Sequence, residues 1–294
     1  MRAGAYFLLL ATLLLWAGNW IVARAVRDDI SPGIVTAGRQ LIVLLVLVPY
    51  CFRSLRRQLP ALARRDWQVL AALGFAGGGL HLALQWLAVH YTTATSAVLY
   101  LSTTPIFILL LARPLLGEPI RARQWGGVGV SFAGVLLIAT QGQLGALTFN
   151  IGDLMAAASM AMFAAYTVLL RVRRDPLATP EFLTVLCLIG FAFVSPWAAI
   201  EFFRATQVRL TGVGAAAMLY SALGSLLLAY AGWSYAVTRL GAARAGVTMH
   251  LMPAIVVVLA ALFLGELPQW FHFAGMVLIL AGVGPSSTNP DFSQ

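Results

Sequence analysis

The chain has 294 residues, of which 61% are hydrophobic and only 10% are charged, and its mean hydropathy is +0.87. Because a soluble domain carries about 25% charged residues, a water-soluble enzyme and a disordered chain are both excluded, and the lipid bilayer is the main solvent. The net charge of +9 comes from 19 arginines and no lysine. These arginines stand in short stretches between apolar runs, which indicates membrane orientation rather than nucleic-acid binding.

Ten apolar segments follow one another along the chain, each close to the roughly 20 residues that a helix needs to cross a bilayer. We therefore expect an all-α membrane protein with ten transmembrane helices and short connections. The segments are residues 4–24, 32–52, 67–90, 94–112, 122–141, 151–171, 180–200, 213–238, 243–264 and 269–286.

The distribution of arginine predicts the orientation of these segments. If the N-terminus is cytoplasmic, fourteen arginines lie on the cytoplasmic side and four, Arg24, Arg27, Arg204 and Arg209, lie on the other. Cytoplasmic connections are rich in positive charge, so the bias places both termini in the cytoplasm, with residues 287–294 as a short tail. The expected location is the inner (plasma) membrane.

The chain also contains an internal repeat. A shift of 148 residues aligns 94–135 with 242–283 without a gap and gives twelve identities in forty-two columns. Pro105 then falls on Pro253, and the Leu-Gly-Glu that ends in Glu118 falls on the one that ends in Glu266. At a shift of 147, Arg24 falls on Arg171. We interpret residues 1–142 and 149–286 as two copies of one unit.

Each copy has five segments, and five is an odd number. The second copy must therefore enter the membrane from the opposite face, which makes an inverted-topology repeat. Inverted repeats are common in secondary transporters, whose binding site lies between the halves near the middle of the membrane.

The aligned residues resemble the EamA-type repeat of the drug/metabolite transporter superfamily. The resemblance rests on the proline in the fourth segment, the Gly-Glu at its end and the Ala-Gly-Val of the fifth, with Trp16, Asn19 and Arg39 earlier in the chain. Within the superfamily the chain is most similar to the YddG-type amino-acid exporters. The resemblance implies an inner-membrane exporter of amino acids or related metabolites, with a central cavity lined by helices 1, 3, 4, 6, 8 and 9.

Charged side chains are nearly absent from the apolar segments. All ten Asp and Glu residues fall in connections or at segment ends, so the expected cavity suits neutral or zwitterionic solutes rather than organic cations. Arg39 is the one charge within a segment. We expect it to reach the membrane surface or to pair, as a structural anchor rather than a substrate contact. Glu118 and Glu266 are interpreted as turn or topology residues.

Polar and aromatic side chains at helical spacing are the candidate substrate-binding residues. His81 and Gln85 share one face of the third segment, and Trp16 and Phe163 are equivalent in the repeat. Ordinary packing between helices is the alternative for each of them. The candidates are Trp16, Asn19, Trp20, His81, Gln85, Tyr100, Met160, Phe163, Tyr166 and Thr248.

Pro105 and Pro253 are the candidate gating residues, because each interrupts the backbone hydrogen bonds of its helix near the middle of a segment. A static bend that improves packing is the alternative. Proton coupling through His81 or His250 is a further hypothesis, against an ordinary interhelical hydrogen bond.

Taken together, the sequence predicts a secondary transporter that exports amino acids or related neutral or amphipathic metabolites by alternating access. An uncoupled facilitator or channel and a multidrug efflux carrier are the alternatives. We find no nucleophile–base pair, metal-ligand cluster or cofactor motif, so we do not expect an enzyme. The expected partners are a small-molecule substrate and the lipid bilayer, without nucleic acid, and one chain is enough to enclose a cavity.

Overall fold

The computed structural model describes residues 2–116, 122–143, 150–204, 211–240 and 251–287. These residues form helices and their connections, with no strand among them. The helices are α1 (Arg2–Ala25), α2 (Pro32–Gln58), α3 (Arg64–Leu73), α4 (His81–Tyr91), α5 (Ala94–Leu99), α6 (Thr104–Leu116), α7 (Ala122–Ala139), α8 (Ile151–Val172), α9 (Thr179–Phe203), α10 (Gly212–Leu219), α11 (Ala229–Leu240), α12 (Leu251–Leu264) and α13 (Trp270–Ser287).

Several of these helices are continuous with the next one through a turn of different pitch. A π-helical turn, Gly74–Leu80, joins α3 to α4, and a second one, Tyr220–Leu228, joins α10 to α11. A 3₁₀ turn, Tyr100–Thr103, joins α5 to α6, and another, Leu59–Ala61, ends α2. The two π-helical turns occupy matching positions at the 148-residue shift, and such turns are frequent at functional sites.

In the described part of the chain, six helical segments are long and apolar enough to cross a membrane. Four shorter apolar helices accompany them, at Ile106–Leu115, Trp125–Ile138, Ile255–Leu264 and Trp270–Gly282. The chain is accordingly a multi-pass helical membrane protein. The six candidate spans are Tyr6–Ala25, Pro32–Ala61, Arg64–Tyr91, Ile151–Leu170, Thr179–Phe203 and Gly212–Trp233.

The main helix pairs recur when the two halves are exchanged. Helix α4 packs on α8 as α11 packs on α1, and α6 packs on α8 as α12 packs on α1. Helices α2 and α9 are equivalents that pack on each other, and so are α7 and α13, so each of these pairs stays the same after the exchange. Side chains repeat the relation, since Ser159 Oγ donates to the carbonyl oxygen of His81 at 2.9 Å and Thr12 Oγ1 to that of Ala229 at 3.5 Å.

Glycines allow the closest helix pairs to form. A Cβ at Gly134 of α7 would lie 2.6 Å from the carbonyl oxygen of Gly275 in α13. A Cβ at Gly127 of α7 would overlap the carbonyl oxygen of Gly282 in α13. The first π-helical turn meets α9 in the same way, since a Cβ at Gly78 would lie 2.6 Å from the carbonyl oxygen of Leu186. Small residues let backbones approach, and van der Waals packing then holds the helices together in lipid.

One end of the bundle brings together the end of α1, the end of α4 and the start of α8. Arg24 Nη1 donates to the carbonyl oxygen of Val89 at 2.9 Å, and Thr92 Oγ1 donates to Asp153 Oδ1 at 2.8 Å. The side chain of Asn150, which caps α8, also donates to the carbonyl oxygen of Tyr91, the residue before Thr92. We call this the Arg24 end.

Candidate functional site

A cavity of about 40 Å³ lies at the centre of the bundle. Because one water molecule needs roughly 10–15 Å³ of such space, the cavity holds a few water molecules but not a metabolite. The helices must therefore separate before a solute of amino-acid size can enter. The cavity is lined by Trp16, Trp20, His81, Leu82, Gln85, Leu101, Met160, Phe163, Ser225, Tyr230 and Met252.

The structure brings six of the ten candidate binding residues to this cavity: Trp16, Trp20, His81, Gln85, Met160 and Phe163. Three others are buried beside it without lining it. Asn19 accepts a hydrogen bond from Ser221 Oγ at 2.8 Å, and Tyr100 lies at the start of the 3₁₀ turn. The ring of Tyr166 packs against Gly77. Thr248 lies outside the described residues.

An aromatic cluster centred on Trp16 forms one wall of the cavity. Its ring lies 5.7 Å from that of Tyr230, 6.5 Å from that of Phe163 and 5.4 Å from that of Trp233, measured between centroids. Trp16 Nε1 donates to the carbonyl oxygen of Ser225 at 3.1 Å, inside the second π-helical turn. The contacts with Tyr230 and Phe163 are edge-to-face and the contact with Trp233 is tilted; together they hold the rings in place and present flat apolar faces to a ligand.

His81 is the polar group whose position the structure explains best. Its Nδ1 lies 2.9 Å from both the carbonyl oxygen and the Oγ of Ser159, and Ser159 Oγ donates back to the carbonyl oxygen of His81. A carbonyl oxygen only accepts, so Nδ1 carries the proton and Nε2 is the acceptor of the neutral ring. An interhelical hydrogen bond thus holds His81, which was one of its two expected roles.

Arg39 departs from its expected position. It is 1% exposed and lies beneath the surface of the bundle, with its guanidinium carbon 5.8 Å from the centroid of the Trp86 ring. Among the described residues, its Nε and one terminal nitrogen have no hydrogen-bond acceptor. Trp86 directly follows the cavity residue Gln85 in α4. The expectation that Arg39 reaches the surface or pairs is therefore wrong.

Glu266 also has more than a turn-forming role. It forms an ion pair with Arg24, with 3.1 Å between Oε1 and Nε, and the same oxygen lies 3.4 Å from the amide of Ala94. Because Arg24 also holds the carbonyl oxygen of Val89, these contacts tie α1, α4, α5 and the end of α12 together at the Arg24 end. Glu118 lies outside the described residues.

The two candidate gating prolines lie near the starts of described helices. Pro105 is the second residue of α6, separated by one residue from the 3₁₀ turn, and Pro253 is the third residue of α12. Among the described residues, no three His, Cys, Asp or Glu side chains form a group that could hold a metal ion.

Tyr230 and Ser225 are cavity residues that the sequence interpretation missed. Tyr230 is the equivalent of Leu82 at the 148-residue shift, and Ser225 is the equivalent of Gly77. Both members of the pair Leu82 and Tyr230 line the cavity. Extending the repeat alignment from the fourth and ninth segments to the third and eighth would have identified Tyr230.

A multi-pass helical bundle whose two equivalent halves surround a polar and aromatic cavity has the architecture of a membrane transporter. The model of the EamA-like transporter family matches residues 3–140 and 150–287. The chain belongs to this family.

Curated relatives extend over nearly the whole chain. An uncharacterized transporter of Archaeoglobus fulgidus is 30% identical over 290 residues, covering 96% of this chain and 97% of the relative. A probable terminal-alkyne amino-acid exporter of Streptantibioticus cattleyicolor is 28% identical and covers 95% and 92%. One solved crystal structure shares the fold, with a TM-score of 0.63 over 97% of both chains at 21% identity. These relatives are named as transporters, in agreement with a carrier rather than an enzyme.

Proposed function

We propose that this protein is an inner-membrane secondary transporter that exports amino acids or related amphipathic metabolites by alternating access. The single observation that carries the proposal is the central cavity between two halves whose main helix pairs recur after exchange. Such halves can rock against each other and expose one site to either side of the membrane in turn.

We further propose ten membrane spans in two five-helix units of opposite orientation, residues 1–142 and 149–286, with cytoplasmic termini. Six candidate spans and four shorter apolar helices support this number. The opposite orientation of the two units is supported at the Arg24 end, where the end of α1 lies near the start of its equivalent, α8. Arg24 bonds Val89 at the end of α4, and Thr92, which follows α4, bonds Asp153 of α8. One chain encloses the cavity, so the proposed functional unit is a monomer.

The substrate in this proposal occupies an expanded form of the cavity. Trp16, Phe163 and Tyr230 supply apolar faces for its side chain, while His81 and Gln85 supply hydrogen-bonding groups. Asn19, Tyr100, Tyr166 and Thr248 remain candidates for contacts made in another conformation. Amino acids are the proposed class because of the resemblance described above and because one relative is named a probable amino-acid exporter.

Closure and opening in this proposal occur at the two ends of the bundle. The ion pair between Arg24 and Glu266 closes the Arg24 end, while Pro105 and Pro253 give the adjoining helices a place to bend. A proline has no backbone N–H, so neither proline can donate a hydrogen bond from the first turn of its helix to the segment before it, which makes that junction easier to bend.

Counterflow in proteoliposomes tests this function. Purified protein is reconstituted into vesicles, and each batch of vesicles is loaded with one unlabelled amino acid from a panel. Uptake of the same amino acid, labelled and added outside, is then followed. Vesicles without internal amino acid and vesicles without protein are the controls. A carrier shows uptake stimulated by its substrate on the opposite side. Flux without such stimulation would show a channel, and selective flux of organic cations would show a multidrug carrier.

A further inference from the structure

Unpaired donors lie within and beside the cavity. In the described part of the chain, Trp20 Nε1, Trp86 Nε1 and two nitrogens of Arg39 are buried without a hydrogen-bond partner. Trp20 lines the cavity, Trp86 lies one turn beyond Leu82 on the same helix, and Arg39 lies against the Trp86 ring. All four atoms are N–H donors, so a group that would satisfy them must be an acceptor.

The guanidinium of Arg39 is the most costly of these groups to leave unpaired. A buried charge without a counter-ion lowers stability by several kcal/mol, and the cost is greater in a lipid environment. In the described part of the chain the Asp and Glu residues lie at helix ends and in connections, and Glu201 reaches α2 at its first turn, where it accepts hydrogen bonds from Gly33 and Ile34. The counter-ion therefore has to come from outside those residues.

We propose that Arg39 binds the carboxylate of the transported molecule, which restricts transport to carboxylate-bearing solutes. This inference rests on the proposed transport function and names the substrate class more narrowly. Arg39 lies against the ring of Trp86, which directly follows the cavity residue Gln85 in α4, so its charge lies close to the cavity. When the halves separate, its planar fork of donors can hold both oxygens of a carboxylate, with the indole of Trp20 as an additional donor.

The rest of the ligand lies toward the aromatic wall in this arrangement. Trp16, Phe163 and Tyr230 supply faces that suit an apolar side chain or the rim of an ammonium group. The carboxylate is the required group and the amine is secondary, because no carboxylate of the described residues lies near enough to select it.

The experiment measures thermal stability in detergent with three probes of one shape. L-phenylalanine has a carboxylate and an amine, L-phenylalaninamide lacks the carboxylate, and 3-phenylpropanoate lacks the amine. The variants are Arg39→Met, which removes the charge at similar length, and Arg39→Lys, which keeps it. Arg27→Met is the matched control, because Arg27 is a partly exposed arginine paired with the exposed Asp28.

We expect both carboxylates, and not the amide, to stabilise the wild type. In Arg39→Met the apparent affinity for the two carboxylates should fall about ten- to hundredfold, which is the range for one charge-assisted hydrogen bond. Arg39→Lys should keep part of this affinity. The ligand-free Arg39→Met protein should melt at a higher temperature than the wild type, because an unpaired buried charge has been removed. Arg27→Met should match the wild type in both respects.

Two results would overturn the role of Arg39. One is equal stabilisation of the wild type by the acid and the amide, and the other is a lower melting temperature of both Arg39 variants without ligand, as a structural anchor requires. Failure of the transport proposal gives a different result, namely stabilisation by carboxylates through Arg39 without any amino-acid counterflow in vesicles.

Discussion

The ion pair at the Arg24 end provides the most direct test of how the bundle closes. Replacing Arg24 with Gln removes the contact with Glu266 and the hydrogen bond to the carbonyl oxygen of Val89. The Arg24 and Glu266 side chains are only 17% and 14% exposed, so water screens them less than a surface pair. Losing a hydrogen bond to a charged group costs about 1.5–3 kcal/mol, and we take about 2 kcal/mol for the conformation closed at this end.

This energy corresponds to about a thirtyfold change in the ratio of closed to open protein, since 1.4 kcal/mol is a factor of ten. The assay uses a background without Cys51 and Cys187, the two cysteines of the chain, and places one cysteine at Gln85 of the cavity. A membrane-impermeant thiol reagent is then applied to proteoliposomes from either side. Labelling from the Arg24 end should become about thirtyfold faster in Arg24→Gln.

Two controls separate gating from a general loosening of the bundle. Exchanging the charges in Arg24→Glu with Glu266→Arg should restore part of the slow labelling, because the ion pair returns but the bond to the Val89 carbonyl oxygen does not, and Arg27→Gln should leave labelling unchanged. The reasoning is refuted if Arg24→Gln labels at the wild-type rate, or if labelling accelerates equally from both ends. The repeat adds an internal comparison, because Arg171 and Glu118 are the equivalents of Arg24 and Glu266, and Glu118→Gln should accelerate labelling from the opposite end only.

Three further substitutions test the packing and the site. Gly127→Ala should lower the free energy of unfolding in detergent by about 1–3 kcal/mol, because its Cβ overlaps a backbone oxygen of α13, whereas Gly126→Ala, whose Cβ meets nothing within 4 Å, should not. Ser159→Ala should reduce counterflow because it removes the hydroxyl that lies 2.9 Å from Nδ1 of the cavity residue His81, while Thr12→Val, its repeat equivalent, should keep counterflow; equal loss in both would contradict this. Pro105→Ala should lower the rate of counterflow more than the amount of protein in the membrane, and an equal fall in both would favour a static bend.

The sequence was most informative where the signal lies within one stretch of chain. Continuous apolar runs identify a membrane protein, and helical spacing places His81 and Gln85 on one face, where both line the cavity. The repeat alignment similarly pointed to Trp16 and Phe163, whose rings the structure places in contact at 6.5 Å. Local spacing is enough in these cases because neighbouring turns of one helix decide which residues share a face.

Features that depend on distant segments could not be predicted in this way. Glu266 reads as a turn residue until the fold brings it to Arg24, which lies 242 residues away in the chain. Arg39 reads as a residue of the membrane surface because an isolated charge in a helix normally reaches water. Only the packing of α2 against α9 and of Trp86 over the guanidinium shows that it stays inside.

The symmetry of the backbone and the asymmetry of the side chains have separate consequences. The equivalent bonds of Thr12 and Ser159 are alike in the two halves, and in the proposed mechanism either end of the bundle opens by the same movement. The repeat equivalent of His81 is Ala229, and that of Arg39 is Cys187, so the polar groups that we assign to the ligand come from the first half alone. A ligand held in this way keeps one orientation relative to the first half while the helices of the second half move around it. In this proposal, substrate selectivity therefore depends on residues that differ between the two halves. The movement of the helices depends on residues that are alike in both halves.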